Sequence, residues 1–206
     1  MTPQALAQLI AQRASAHQGR FIAALAGPPA AGKSTLAADL AARINANLGS
    51  AVAKVVPMDG FHYDDAVLRA RGAQARKGAP DTFDAQGFFH LLRRLKVEDE
   101  VAIPLFDRAL EISRAGADIV TAADKILIVE GNYLLLKESP WPQALPLYDL
   151  TIWADVDEAE LVSRLLARWA VYGKTDAQAR AWIEGNDLPN IRRVVSGSGG
   201  ADFSIS

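Results

Sequence analysis

Residues 27–34 read Gly27-Pro28-Pro29-Ala30-Ala31-Gly32-Lys33-Ser34: a glycine, four residues, then Gly-Lys-Ser. Glycines at these two positions let a backbone loop curl closely round an anion. A lysine directly after the second glycine brings a point charge to terminal phosphates, and the next hydroxyl is a ligand for Mg²⁺. The pattern predicts a P-loop for ATP made by Gly27, Pro28, Pro29, Ala30, Ala31, Gly32, Lys33 and Ser34, continued by Thr35. Such a loop works only between a buried strand and a helix. Residues 21–26, Phe-Ile-Ala-Ala-Leu-Ala, are a short apolar run that suits the strand. Residues 35–46 carry Leu36, Leu40 and Ile44 at helical spacing.

The remaining chain alternates in the same way. An amphipathic helix is predicted over residues 1–18, with Thr2 as its cap and Pro3 at its first position. Further strands are predicted at 51–58, 101–106, 125–129, 148–154 and 201–205, and further helices at 84–96, 157–172 and 176–187. Residues 72–82 read as a mobile, partly basic segment, and 107–124 as a short hairpin-like excursion. The fold class expected is an α/β three-layer P-loop fold, with a parallel sheet of about five strands flanked by helices and a helical lid over 157–187. With 206 residues, a single domain over 1–206 is expected.

A parallel sheet gathers its strand ends at one crevice. Asp59 follows the second strand and precedes Gly60; it is the candidate base for an attacking hydroxyl. Glu130 closes the 125–129 strand and, with Ser34, is the candidate pair for Mg²⁺. His62, Tyr63, Arg76, Lys77, Arg108 and Asn132 are the candidate contacts to an acceptor. Arg164 and Arg168, at i and i+4 on one helix face, join Lys33 as candidates to neutralise a transferring phosphate. Each has a plainer structural reading: a turn aspartate, a capping carboxylate, a packed histidine, solvated arginines. Trp153, Trp169 and Trp182 read as core or lid packing.

Composition narrows the classes. The net charge is −2, so no global field draws the chain to nucleic acid or an anionic membrane. No run of 18 apolar residues exists, and no membrane insertion is expected. Cysteine is absent, which excludes thiolate chemistry and disulfides and fits a cytoplasmic protein.

The motifs Met58-Asp59-Gly60-Phe61, Pro80-Asp81-Thr82-Phe83-Asp84 and Ile128-Val129-Glu130-Gly131-Asn132-Tyr133, in order behind the P-loop, resemble the uridine kinase, phosphoribulokinase and bacterial pantothenate kinase family. Residues 77–84 and 186–190 are most similar to a bacterial branch described as fructose-transport-system kinases. The resemblance implies an ATP- and Mg²⁺-dependent kinase of a small hydroxylated metabolite, with Asp59 as catalytic aspartate, Glu130 as active-site glutamate and Arg164 and Arg168 as lid arginines. A sugar such as fructose is the favoured acceptor. A nucleoside or pantothenate-like alcohol, or a P-loop ATPase or GTPase switch, is the alternative, and a homodimer is left open.

Overall fold

A computed structural model describes all residues, 1–206. Thr2 accepts a hydrogen bond from the Ala5 amide and starts α1 (Pro3–Ser15). The alternation then runs β1 (Phe21–Ala26), α2 (Lys33–Leu48), β2 (Ala53–Pro57), α3 (Asp65–Ala70), α4 (Ala85–Val97), β3 (Val101–Asp107), β4 (Ile112–Val120), β5 (Ile126–Gly131), β6 (Leu150–Ala154), α5 (Glu158–Val171), α6 (Asp176–Trp182), α7 (Leu188–Gly197) and β7 (Phe203–Ile205). Five strands form one sheet in the order β2-β5-β1-β6-β7, every pairing parallel. β3 and β4 form a separate antiparallel hairpin.

Every residue of β1 and β5 is buried. Successive side chains point to opposite faces of a strand. Ile22, Ala24, Ala26, Leu127 and Val129 therefore join α4, through Phe88, Leu92 and Leu95, in one core. Phe21, Ala23, Leu25, Ile126 and Ile128 pack on the other side against Leu6 and Ile10 of α1, Leu40 and Ile44 of α2 and Leu161 of α5. This double covering explains why these strands read as unbroken apolar runs. At the base of the sheet, buried Arg20 donates to the carbonyls of Leu95, Glu98, Asp99 and Asp124, tying α4 to β1.

β2 differs from expectation. It is shorter than 51–58, and Lys54, Val55 and Pro57 are only half-buried because it is an edge strand. Its last residue is Pro57, where a missing amide costs no ladder bond. The hairpin is tied to this edge through a side chain, with Lys54 Nζ 2.9 Å from Asp118 Oδ1. Residues 72–82, expected as mobile, are anchored turns: Ala73, Ala79, Pro80 and Thr82 are buried, and the Thr82 hydroxyl donates to the Ala79 carbonyl at 2.7 Å. The helix expected to end at 187 is α6 followed by a π-helical turn (Ile183–Asp187), which leads into α7.

No helix is long and apolar enough to cross a membrane.

Candidate active site

The loop between β1 and α2 takes the conformation its glycines allow. Gly32 has φ 82° and sits at the N-terminus of α2, a left-handed position that glycine adopts without strain. Ala30, a non-glycine, is also left-handed at φ 65°. Backbone strain of this kind is tolerated where the surroundings over-determine it, typically at ligand clamps. The amides at the start of α2 thus face the crevice with the positive end of the helix dipole behind them.

Lys33 is not exposed to solvent, as a flexible lysine would be; it is 7% exposed. Its ammonium donates to the Pro28 carbonyl at 2.8 Å and to Asn132 Oδ1 at 2.7 Å. Burial lowers its pKa to about 8, against the raising influence of Glu130 and Asp59. Asn132, expected to contact an acceptor, instead holds this lysine, although it also lines the cleft.

Glu130 is the penultimate residue of β5 and is 6% exposed. Its Oε1 accepts from the Ser34 hydroxyl at 2.9 Å. Burial first, and then the charge of Asp59, push its pKa upward, with Lys33 opposing. A carboxylate and a hydroxyl in contact are the hard oxygen donors Mg²⁺ takes, and that ion needs only one or two protein ligands when phosphates and water complete its octahedron. No three-residue His, Cys, Asp or Glu cluster exists to form a full protein cage. The donor set therefore fits Mg²⁺ held jointly by Ser34, Glu130 and a triphosphate.

Asp59 lies in a 3₁₀ turn, Met58–Phe61, directly after β2. A Cβ on Gly60 would stand 2.2 Å from the Pro104 carbonyl oxygen, so only glycine lets this turn press on β3. That contact brings Arg108, at the end of the hairpin, into a salt bridge with the Asp59 carboxylate. His62 packs in tilted contact with Phe83 and Phe106, with centroids at 4.0 and 4.6 Å. Burial lowers its pKa, so it is neutral at physiological pH. Its Nδ1 lies 2.8 Å from the Asp59 carbonyl. A carbonyl can only accept, so the proton sits on Nδ1 and Nε2 is left as an acceptor.

These groups border one cleft of about 970 Å³ whose lining includes Lys33, Ser34, Asp59, His62, Lys77, Arg108, Glu130 and Arg168. Lys77 is held by Asp65 at 2.8 Å and Glu111 at 3.2 Å. Arg164 pairs with Glu160 at 2.8 Å and reaches the P-loop carbonyl of Ala30 at 3.4 Å.

Arg164 and the P-loop residues Gly27, Pro28 and Ala31 do not line the cleft, and of the candidate acceptor contacts Tyr63 and Arg76 fall outside it. His62 forms an antiparallel bridge with Phe83. Alternation in an extended segment then turns its neighbour the other way, and Tyr63 lies under the Arg71 guanidinium, 4.3 Å from its ring centroid. Arg76 is captured by Asp81 in the next turn. Conversely, Trp169, Tyr172, Lys174, Trp182, Asn186, Asp187 and Asn190 line the cleft, although none was expected there. The only local signal was the tryptophan content of a polar helix pair.

A P-loop after β1 of a five-stranded parallel sheet, with Glu130 at the end of the adjacent β5 and Asp59 just beyond β2 on the far side of β5, defines a P-loop kinase. The chain belongs to the uridine kinase, phosphoribulokinase and pantothenate kinase family, whose members use ATP with Mg²⁺. A "putative uridine kinase" of Schizosaccharomyces pombe is 39% identical over 186 residues, covering 86% of this chain and 79% of that one. The pantothenate kinase of Limosilactobacillus reuteri is 27% identical over 197 residues, covering 85% of this chain and 64% of its own. The crystal structure of a "putative fructose transport system kinase" from Silicibacter sp. TM1040 superposes with a TM-score of 0.95 at 43% identity, covering both chains completely. No protein-family model matches the chain. The protein is a small-molecule kinase.

The low pKa of Lys33 has a measurable consequence. Above pH 8 most of this lysine is neutral in the free protein, whereas a bound triphosphate favours the ammonium. ATP binding at pH 8.5–9 is therefore expected to take up a proton, and affinity to fall as pH rises through this window. Titration calorimetry in buffers of different ionisation enthalpy measures the uptake. No uptake, or affinity that stays level to pH 9.5, would show that Lys33 does not face the phosphates.

Proposed function

We propose that the protein transfers the terminal phosphate of ATP to a hydroxyl of a sugar or sugar-like alcohol. The observation that carries this reading is the character of the cleft beside Asp59: only six of its 26 lining residues are hydrophobic. The His62 ring is already engaged by Phe83 and Phe106, so it is not free to stack on a base. A dense set of directional polar groups suits a polyhydroxylated molecule and rejects analogues that leave those groups unpaired.

In this reading Asp59 accepts the proton of the attacking hydroxyl, and Arg108 holds its carboxylate in place. His62 Nε2, Lys77 and Arg108 orient the acceptor. Lys33, fixed by Asn132, and the lid arginines Arg164 and Arg168 neutralise charge on the transferring phosphoryl group. Ser34 and Glu130 hold Mg²⁺, which when bound supplies charge neutralisation at the phosphate oxygens. The arm of α5 and α6 is the lid. Within these two helices only Leu161, Leu165 and Ala179 are fully buried, and so few buried contacts place it at the low-stability end of the fold, where closing elements are drawn from.

ADP release, measured with fructose, related ketoses, uridine, cytidine and pantothenate at equal concentration, tests the reading. A ketose is expected to give the highest turnover. Preference for a nucleoside or pantothenate would overturn the sugar assignment. ATP hydrolysis indifferent to every alcohol would instead favour an ATPase or switch.

A further inference from the structure

Three side chains at and just beyond the end of β5 serve the cleft in two directions. Glu130 and Asn132 reach the P-loop, where they accept from Ser34 and Lys33. Tyr133, the next residue, reaches the acceptor side instead: its hydroxyl donates to the Gly78 carbonyl, and Lys77 and Gly78 both line the cleft. Tyr133 is held rigidly. It is fully buried, with its ring centroid 5.5 Å from that of Phe83 and 5.2 Å from that of Trp141. Burial pushes its pKa above the ordinary tyrosine range, so the phenol stays protonated and remains a donor at working pH.

The segment it holds has little rigidity of its own. Gly78 has φ 97°, and a Cβ built there would meet nothing within 4 Å, so packing does not fix a residue whose backbone is already the least restricted. Hydrogen bonds fix it instead. The Gly78 amide donates to the Thr82 hydroxyl oxygen at 3.0 Å, and the Lys77 carbonyl accepts from Asn186 Nδ2 at 3.4 Å. The Tyr133 bond is the third, and of the three it alone comes from the strand end that also holds the P-loop. One residue away, the Lys77 ammonium is set between Asp65 and Glu111 and also donates to the Glu111 carbonyl at 3.0 Å.

We propose that Tyr133 is a positioning residue for the phosphoryl transfer: through the Gly78 carbonyl it fixes Lys77 relative to the strand end that fixes Lys33. The proposal rests on Lys77 orienting the acceptor, as in the reading above, and not on the acceptor being a sugar. Asn132 and Tyr133 are consecutive, and Cα atoms across a trans peptide are about 3.8 Å apart. They form a short, stiff reference between the cation that meets the phosphates and the cation that meets the acceptor. In-line transfer depends on such a reference, because a misplacement of about 1 Å can cost 10²-fold. Without the phenol hydroxyl, the Gly78 carbonyl loses its partner and the segment is left to its bonds with Thr82 and Asn186.

Tyr133→Phe keeps the buried ring and removes only the donor, and two measurements on the intact protein test it. The first is limited trypsin digestion, which needs no acceptor: cleavage after Arg76 or Lys77 should be severalfold faster in the variant, with circular dichroism unchanged. The second is steady-state kinetics with whichever of D-fructose, uridine and pantothenate the wild-type protein turns over fastest. The acceptor KM should rise about fivefold, within the worth of one hydrogen bond, with the KM for ATP within about twofold of wild type. In a Lys77→Met background the same substitution should leave the acceptor KM unchanged, because the group it positions is gone. Trypsin cleavage of this segment at the wild-type rate would overturn the proposal. So would a lower melting temperature with both KM values unchanged, an equal rise in both, or an undiminished effect in Lys77→Met. Fastest turnover of uridine or pantothenate would overturn the sugar assignment and leave this proposal standing.

Discussion

Asp59→Asn is expected to lower kcat by roughly 10²–10⁴, the usual worth of a positioned base, while ATP affinity changes little. The amide keeps the shape of the carboxylate and can still hydrogen-bond, but it cannot take the proton of an attacking hydroxyl. Three neighbours respond. Arg108 loses its ion-pair partner; the pair is substantially exposed, so stability should fall by about 1 kcal/mol or less. Glu130 loses a like charge that pushes its pKa up and becomes easier to ionise. Lys33 loses a charge that holds its pKa up, so its proton leaves at somewhat lower pH. The last two effects act on triphosphate and metal binding in opposite directions and partly cancel. Single-turnover kinetics with a separate ATP-binding titration divide the outcome into binding and chemistry. A collapse of ATP affinity with turnover per bound ATP preserved would remove Asp59 from the role of base and move that role to Glu130.

What could be read before folding was local. The P-loop needs no long-range information, because glycines, lysine and hydroxyl are adjacent in sequence and are set between an apolar run and a helical repeat. β1, β5 and α4 were legible for the same reason: a strand buried on both faces shows as an unbroken apolar run, and Phe88, Leu91, Leu92 and Leu95 mark one side of a helix. The acceptor side was less legible because it is assembled by contacts between distant segments. Tyr63 lies next to His62 in sequence, yet the bridge between His62 and Phe83 sends the two side chains to opposite sides. Arg76 seemed free until the next turn brought Asp81 against it. α7 was missed altogether. Pro189 sits in its first turn, a position to which proline is well suited. Trp169 and Trp182 were read as packing because an indole on a helix usually is. Only the turn at Gly173 and the π-helical turn, together, bring them to the cleft.

Lys33→Met is the second large effect, and its value lies in separating function from fold. Turnover should fall by at least about 10²–10³, the usual worth of one preorganised donor aimed at developing charge, and the proton uptake on ATP binding at pH 8.5–9 should disappear. Fold, by contrast, should survive. The wild-type lysine is 7% exposed, and burial draws its pKa down to about 8, so the folded state holds this charge at a cost. Methionine fills nearly the same volume without that cost. Against this gain stand the Pro28 carbonyl and Asn132 Oδ1, which lose their donor, and Glu130, which loses its nearest cation and is more readily protonated. Replacing a buried charge by a well-packed apolar side chain is often neutral or stabilising, and an unsatisfied buried acceptor costs about 1–3 kcal/mol. The two nearly offset, and the urea midpoint should stay close to that of the wild-type protein. Lys33→Ala lacks the compensating packing and should be the less stable of the two, with equal loss of turnover. If Lys33→Met unfolds, or if it folds and still turns over ATP at the wild-type rate, Lys33 is a buried structural cation and the P-loop does its work without it.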